Sequence, residues 1–181
     1  MSDQSTGMSE ELKMLFSRVL EDNKQKILRI CRVYAANLED QRDVYQEVAL
    51  NIWKSLPSFR QDSNIDTWVY RICLNVCMQY AFKLRKERRN RVDIEGITIS
   101  DEVADKDGDQ ENREKTKLLF KCLAMLNETE KSLILLYLDE LSHKDIANIL
   151  GLSENHVAVK LARIKKKLIH CINTNPWTKI A

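Results

Sequence analysis

The chain has 181 residues, enough for one ordinary domain or two compact ones, and 29 Lys plus Arg against 27 Asp plus Glu leave a net charge of only +2, so overall charge selects no class of partner. Five cysteines, odd in number, without a CxxC pair and mostly at apolar helical positions, argue against a secreted disulfide scaffold and read as reduced core thiols. The longest apolar run, 133–138, is far too short to span a bilayer, and the N-terminus lacks a basic start followed by an apolar stretch, so the chain reads as soluble and cytoplasmic, with no membrane insertion.

With four glycines and two prolines, and apolar residues recurring at steps of three and four, the expected fold class is all-α. Two helices are expected over 9–20 and 23–37, turning Leu12, Leu15, Phe16, Val19 and Ile27, Ile30, Cys31, Tyr34 inward. A third begins near Asp40 as N-cap and runs to about Ser55, with Val44, Val48, Ile52 and Trp53 on one side and Pro57 stopping it. A fourth opens at a Ser63 cap with Asp66 three positions on, and carries Ile65, Val69, Ile72, Val76 and Tyr80 on one stripe.

That helix ends in a block, 83–91, holding six bases and one acid. The next stretch, 93–114, holds nine acids and two bases and loses apolar periodicity, as a flexible, solvated linker does. The expected architecture is therefore two small helical domains, 9–91 and 115–172, joined by an acidic linker over 92–114. In the second domain an amphipathic helix over 115–126 precedes a capping box, Asn127 to Glu130. Ser142 then caps a short helix to Leu150, Gly151 ends it, and Ser153 caps a last helix to about Ile172.

Two short-linked helices, a glycine at the end of the first and bases on the second make a DNA-binding helix-turn-helix. Ile146, Ala147, Leu152, Val157 and Leu161 have the spacing of the shared core, and Ala147 keeps the helices close. Ser153, Glu154, Asn155, His156, Lys160 and Arg163 remain for base edges and phosphates in a major groove. The block 160–167 adds five bases and no acid. An ordinary helical hairpin with solvated charges is the plainer reading; the alanine, glycine, cap and basic flank together outweigh it.

Two stretches resemble the extracytoplasmic-function (ECF) sigma factors, which keep only regions two and four of the sigma-70 family. DQRDVYQEVALNIW followed by FRQDSNIDTWVYRICLN is similar to region two, and LNETEKSLILLYLDELSHKDIANILGLSENHVAVKLARIKKKL to region four. The resemblance implies an alternative sigma factor, not an enzyme, that binds core RNA polymerase and directs initiation at particular promoters.

Asp43, Gln46 and Glu47 share one helix face by spacing, and the resemblance makes that face the dock for the clamp helices of the largest polymerase subunit. Region four would meet the flap of the second-largest subunit. Arg60, Asn64, Thr67, Trp68, Arg71 and Asn75 match the part that opens and reads the minus-ten element as single-stranded DNA. An aromatic ring beside a cation and an amide suits an unpaired base and its phosphate; Trp68 reads equally well as core. Region four's helix would read double-stranded minus-thirty-five DNA, with Lys83, Arg85, Lys165 and Lys166 on the phosphate backbone. An anti-sigma factor is a further implied partner; no cofactor is.

The chain departs from the family where Thr and Lys are common, at His156 and Ala158, and at Gln79, where an Asp is common; the promoter sequence is therefore open. A helix-turn-helix regulator with an N-terminal sensing or dimerising domain is the rival, and it would need neither the Asp43 stripe nor the Trp68 face. An enzyme finds no support: no phosphate loop, nucleophile motif or metal-ligand pattern is present, and His143, His156 and His170 with Cys171 fit no zinc spacing.

Overall fold

A computed structural model of the protein describes residues 3–59, 64–90 and 110–174, and within them it contains seven α-helices, one 3-10 turn and no strand. The helices are α1 (Asp3–Tyr34), α2 (Leu38–Ser55), α3 (Ile65–Asn90), α4 (Gln110–Ala124), α5 (Glu128–Leu138), α6 (His143–Leu150) and α7 (Glu154–Thr174).

α1 is one continuous helix where two were expected. No glycine or proline interrupts residues 20–23, and Asn23, read as a start signal, turns its amide back onto the Val19 carbonyl at 3.0 Å. An asparagine buried in this way is satisfied inside the helix and does not break it. Leu15, expected to face inward, is exposed. The cap of α2 is Asn37, and Asp40 instead supplies the N–H that Asn37 Oδ1 accepts at 2.8 Å. α2 ends at Ser55, and Pro57 sits in the 3-10 turn Leu56–Ser58. α3 starts one residue later than expected: Asn64 Oδ1 accepts from the Asp66 N–H at 2.9 Å, and the Asn64 carbonyl from the Trp68 N–H. Ser63, the expected cap, lies outside the described residues.

These three helices bury one core: Ile27, Ile30 and Cys31 from α1, Val44, Val48 and Ile52 from α2, and Val69, Cys73, Leu74 and Cys77 from α3. Each large aliphatic side chain there contributes about 1.5–3 kcal/mol by leaving water.

In the C-terminal half the capping box of α5 is present in both directions: Asn127 Oδ1 accepts from the Glu130 N–H, and Glu130 accepts from the Asn127 N–H. Ser142 caps α6, its hydroxyl accepting from the Asp145 N–H at 3.1 Å. Gly151 takes φ 67° and ends the helix, while the Leu152 N–H reaches back to the Ala147 carbonyl at 3.0 Å. A Cβ at Gly151 would touch nothing within 4 Å, so the demand for glycine comes from the left-handed backbone alone. Ile146, Ala147, Val157 and Leu161 are buried between α6 and α7, with Leu152 at the edge.

The cysteine reading is corrected in part. Cys122 of α4 and Cys171 of α7 form a disulfide, whereas Cys31, Cys73 and Cys77 are free thiols in the core. α4 and α7 pack side by side, which brings the two residues together although 49 positions separate them.

Residues 91–109 of the expected linker lie outside the described residues, and residues 110–114 belong to α4. The two halves pack against each other through α1 and α3 on one side and α4, α5 and α6 on the other. Tyr34 Oη lies 2.7 Å from Ser132 Oγ and donates to the Glu128 carbonyl. Arg85 pairs with Glu128 at 3.1 Å. Tyr70 Oη donates to Asp139 Oδ2 at 2.6 Å, and Arg29 pairs with the other oxygen of that carboxylate.

Candidate nucleic-acid interface

On α2 the buried stripe Val44, Val48 and Ile52 leaves Asp43, Gln46 and Glu47 exposed on the opposite face. Asn51 donates to Glu47 Oε1 at 3.0 Å and to its carbonyl, which fixes the carboxylate along the helix without neutralising it. Leu50, exposed one turn beyond Gln46, continues the stripe into an open cleft lined by Lys13, Phe16, Leu50 and Trp53. Phe16 and Trp53 meet edge to face there, ring centroids 5.1 Å apart. Sequence reading turned Phe16 inward, and it does pack against the core, but with Trp53 it also lines this cleft, which was missed; Leu50, an apolar residue at seven positions from Asp43, was its signal.

On α3, Trp68, Arg71 and Asn75 lie along one side, away from the buried Val69, Cys73, Val76 and Cys77. Arg71 and Asn75 are exposed, Thr67 and Trp68 half-buried. Trp68 packs its ring on Phe59, centroids 4.9 Å apart, and also packs against the core. Being half-buried, it meets the core and keeps part of its ring open to solvent. Asn64 is exposed but its side-chain oxygen caps α3. Arg60 lies outside the described residues. Arg71 donates to the carbonyl of Asn148 on α6, so in this arrangement the proposed minus-ten face abuts the helix-turn-helix.

At the start of α7, Glu154, Asn155 and His156 are exposed, and Ser153 Oγ accepts from the His156 N–H at 3.3 Å. Lys160 is half-buried and Arg163 exposed, on the flank that Leu161 and Ile164 leave to solvent. The bases further on divide. Lys166 is exposed, Lys165 lies 3.8 Å from the centroid of the Tyr137 ring, and Lys167 pairs with Glu130 at 2.6 Å. Burial pushes the Glu130 carboxyl up, but the Lys167 ammonium and the Asn127 N–H outweigh it and hold the group below its ordinary value. Lys83 is exposed, and Arg85 is held by Glu128.

The model of sigma-70 region 2 matches residues 19–90 and that of sigma-70 region 4 matches residues 116–168. The chain belongs to the sigma-70 family. Among relatives, the ECF RNA polymerase sigma factor SigW of Bacillus subtilis is 24% identical over 161 residues, covering 84% of this chain and 86% of its own. SigV of the same organism is 29% identical over 155 residues, covering 85% and 89%. A solved structure of the sigma factor RpoE with the anti-sigma factor NepR from Bartonella quintana shares the fold, with a TM-score of 0.69, 20% identity and coverage of 88% of this chain and 98% of that one. This sigma factor is of the ECF type, with regions two and four and an alternative role in directing transcription initiation. No described helix is long and apolar enough to cross a membrane.

Proposed function

We propose that the sigma factor docks on the clamp helices of the largest polymerase subunit through Asp43, Gln46 and Glu47, with Leu50 seated at the rim of the contact. Trp68, Arg71 and Asn75 then hold the opened minus-ten strand, and Asn155 and His156 read the minus-thirty-five duplex. The observation that carries this reading is the segregation on α2 and α3: each proposed contact lies opposite the apolar stripe that builds the core. A charged face meeting a basic partner governs encounter and register. A half-exposed ring beside a cation stabilises an unpaired base without nucleotide hydrolysis. Region four is assigned to the flap of the second-largest subunit, and an anti-sigma factor, such as the one bound to the RpoE relative, to the free protein.

The closed packing of the two halves bears on how this works. Two elements named for positions ten and thirty-five lie about 25 base pairs apart, about 85 Å of duplex at 3.4 Å per pair. A compact chain of 181 residues has a radius of gyration of about 16 Å. The halves therefore separate on promoter DNA, and Arg71 exchanges the Asn148 carbonyl for nucleic acid. Residues 92–109 then serve as the connector between the N-terminal half and the half that opens with α4.

Photocrosslinking from Gln46 and from His156, in holoenzyme assembled on promoter DNA, tests the reading. Label is expected in the largest subunit from the first position and in upstream DNA from the second. Label from Gln46 in DNA or solvent alone overturns the docking assignment.

A further inference from the structure

The sulfurs of Cys31, Cys73 and Cys77 all lie within 4.8 Å of one another, and all three residues are fully buried. Cys73 and Cys77 are one turn apart on α3 and Cys31 faces them from α1, so three thiols converge on one point between two helices. No histidine or carboxylate joins them among the described residues. The neighbouring phenol, Tyr34, has its hydroxyl engaged by Ser132 and the Glu128 carbonyl. Cysteines as ordinary small apolar residues are scattered through a core; here they point at each other.

We propose that Cys31, Cys73 and Cys77 form a three-sulfur site for a trivalent thiophilic metalloid, with arsenite as the form that delivers it. Thiolate ligands sit about 2.3 Å from a soft ion and thus about 4 Å or less from one another, a spacing these sulfurs reach with small side-chain adjustments. Structural zinc takes four protein ligands, and this site offers three. Charge decides among the remaining soft ions. Three thiolates leave a monovalent ion at −2 and a divalent ion at −1, but a trivalent centre at zero, and an uncompensated charge in a dry core is costly. A pyramidal trivalent centre also needs no fourth ligand, because a lone pair occupies that direction.

The exchange balances without an oxidant: As(OH)3 plus three thiols gives As(SR)3 plus three waters, with three As–O and three S–H bonds broken and three As–S and three O–H bonds formed. Because the site is closed to solvent, uptake needs transient separation of α1 and α3, and the bound centre afterwards ties those helices together.

The test uses the full chain with Cys122→Ser and Cys171→Ser, so that only the three core thiols remain, titrated with sodium arsenite and followed by native mass spectrometry and thermal unfolding. Expected are one arsenic per chain with three hydrogens lost, and a raised unfolding midpoint, since a ligand of the native state stabilises it. Cys31→Ala and, separately, Cys77→Ser in that background should each weaken retention about tenfold or more, which is 1.4 kcal/mol or more. Absence of arsenic on the folded chain, loss of fewer than three hydrogens, an unchanged or lowered midpoint, or equal stabilisation by zinc chloride at the same concentration overturns the proposal.

Discussion

Replacing Asp139 by Ala should open the sigma factor and thereby strengthen its apparent affinity for core polymerase. Asp139 ends α5, and its carboxylate, 7% exposed, accepts from Tyr70 across the boundary between the halves and pairs with Arg29. A buried hydrogen bond to a charged acceptor is worth about 1.5–3 kcal/mol. Arg29 is half-exposed, so its pairing adds only about 0–1 kcal/mol after screening. Together the closed state loses about 1.5–4 kcal/mol, or about 10-fold to 1,000-fold in the ratio of closed to open. A partner that engages only the open chain binds with an affinity reduced by the open fraction, so wherever the closed form dominates, the measured dissociation constant should fall by that factor until opening is complete. Fluorescence-detected titration of core polymerase gives the constant, and small-angle scattering should show a radius of gyration above the compact value of about 16 Å. Tyr70→Phe should act in the same direction by a smaller amount. Unchanged or weaker polymerase binding in a variant of normal helical content would refute the idea that this clasp opposes assembly.

The proposed docking role of the α2 stripe predicts that Glu47→Lys with Asp43→Lys leaves the thermal midpoint nearly unchanged, both residues being exposed, while weakening core-polymerase binding tenfold or more (about 1.4 kcal/mol) in the same titration. On α7, Asn155→Ala or His156→Ala should change which minus-thirty-five sequences are bound, at about 1–3 kcal/mol per lost base contact. Lys166→Ala should weaken all promoters alike and lower the salt slope by about one; selection on a randomised upstream element at several salt concentrations separates the two outcomes. Glu130 has a lowered pKa in the folded state, so its contribution is present above its unfolded value and is lost as pH falls through the folded one. Glu130→Gln should therefore destabilise the chain at neutral pH and little at low pH, as read by urea unfolding at each pH. Reducing the Cys122–Cys171 disulfide, which closes a loop of 49 residues, should cost at most about 4 kcal/mol and lower the unfolding midpoint of the C-terminal half.

Most of the helical plan was legible because its signals are local. The capping box at Asn127, the Ser142 cap and the Gly151 stop each depend on residues within one turn, and each forms as its residues dictate. The boundaries that moved did so where two residues within one turn compete for one role: Asn37 takes the cap that Asp40 could have filled, and Asn64 stands where Ser63 was expected. Asn23 was read as a helix start because its side chain can cap, but the same group bonds just as well to a carbonyl one turn back. The exposed faces around Asp43, Trp68 and Asn155 could be read from periodicity, since whatever is not in the apolar stripe points outward. The pairing of Cys122 with Cys171, the convergence of Cys31 on Cys73 and Cys77, and the Tyr70–Asp139 clasp could not. Each joins residues from different helices, and only tertiary packing decides which distant side chains meet. Of these, the one-turn spacing of Cys73 and Cys77 was the single local hint.

The most direct measurement is transcription by purified core polymerase on a library of the organism's own genomic DNA, with and without this protein, followed by mapping of the start sites. Start sites that appear only with the protein, sharing one upstream and one minus-ten motif at constant spacing, and lost together with Arg71→Ala and Asn75→Ala, are the predicted result. An unchanged set of start sites in the presence of folded protein that binds core polymerase would contradict the account.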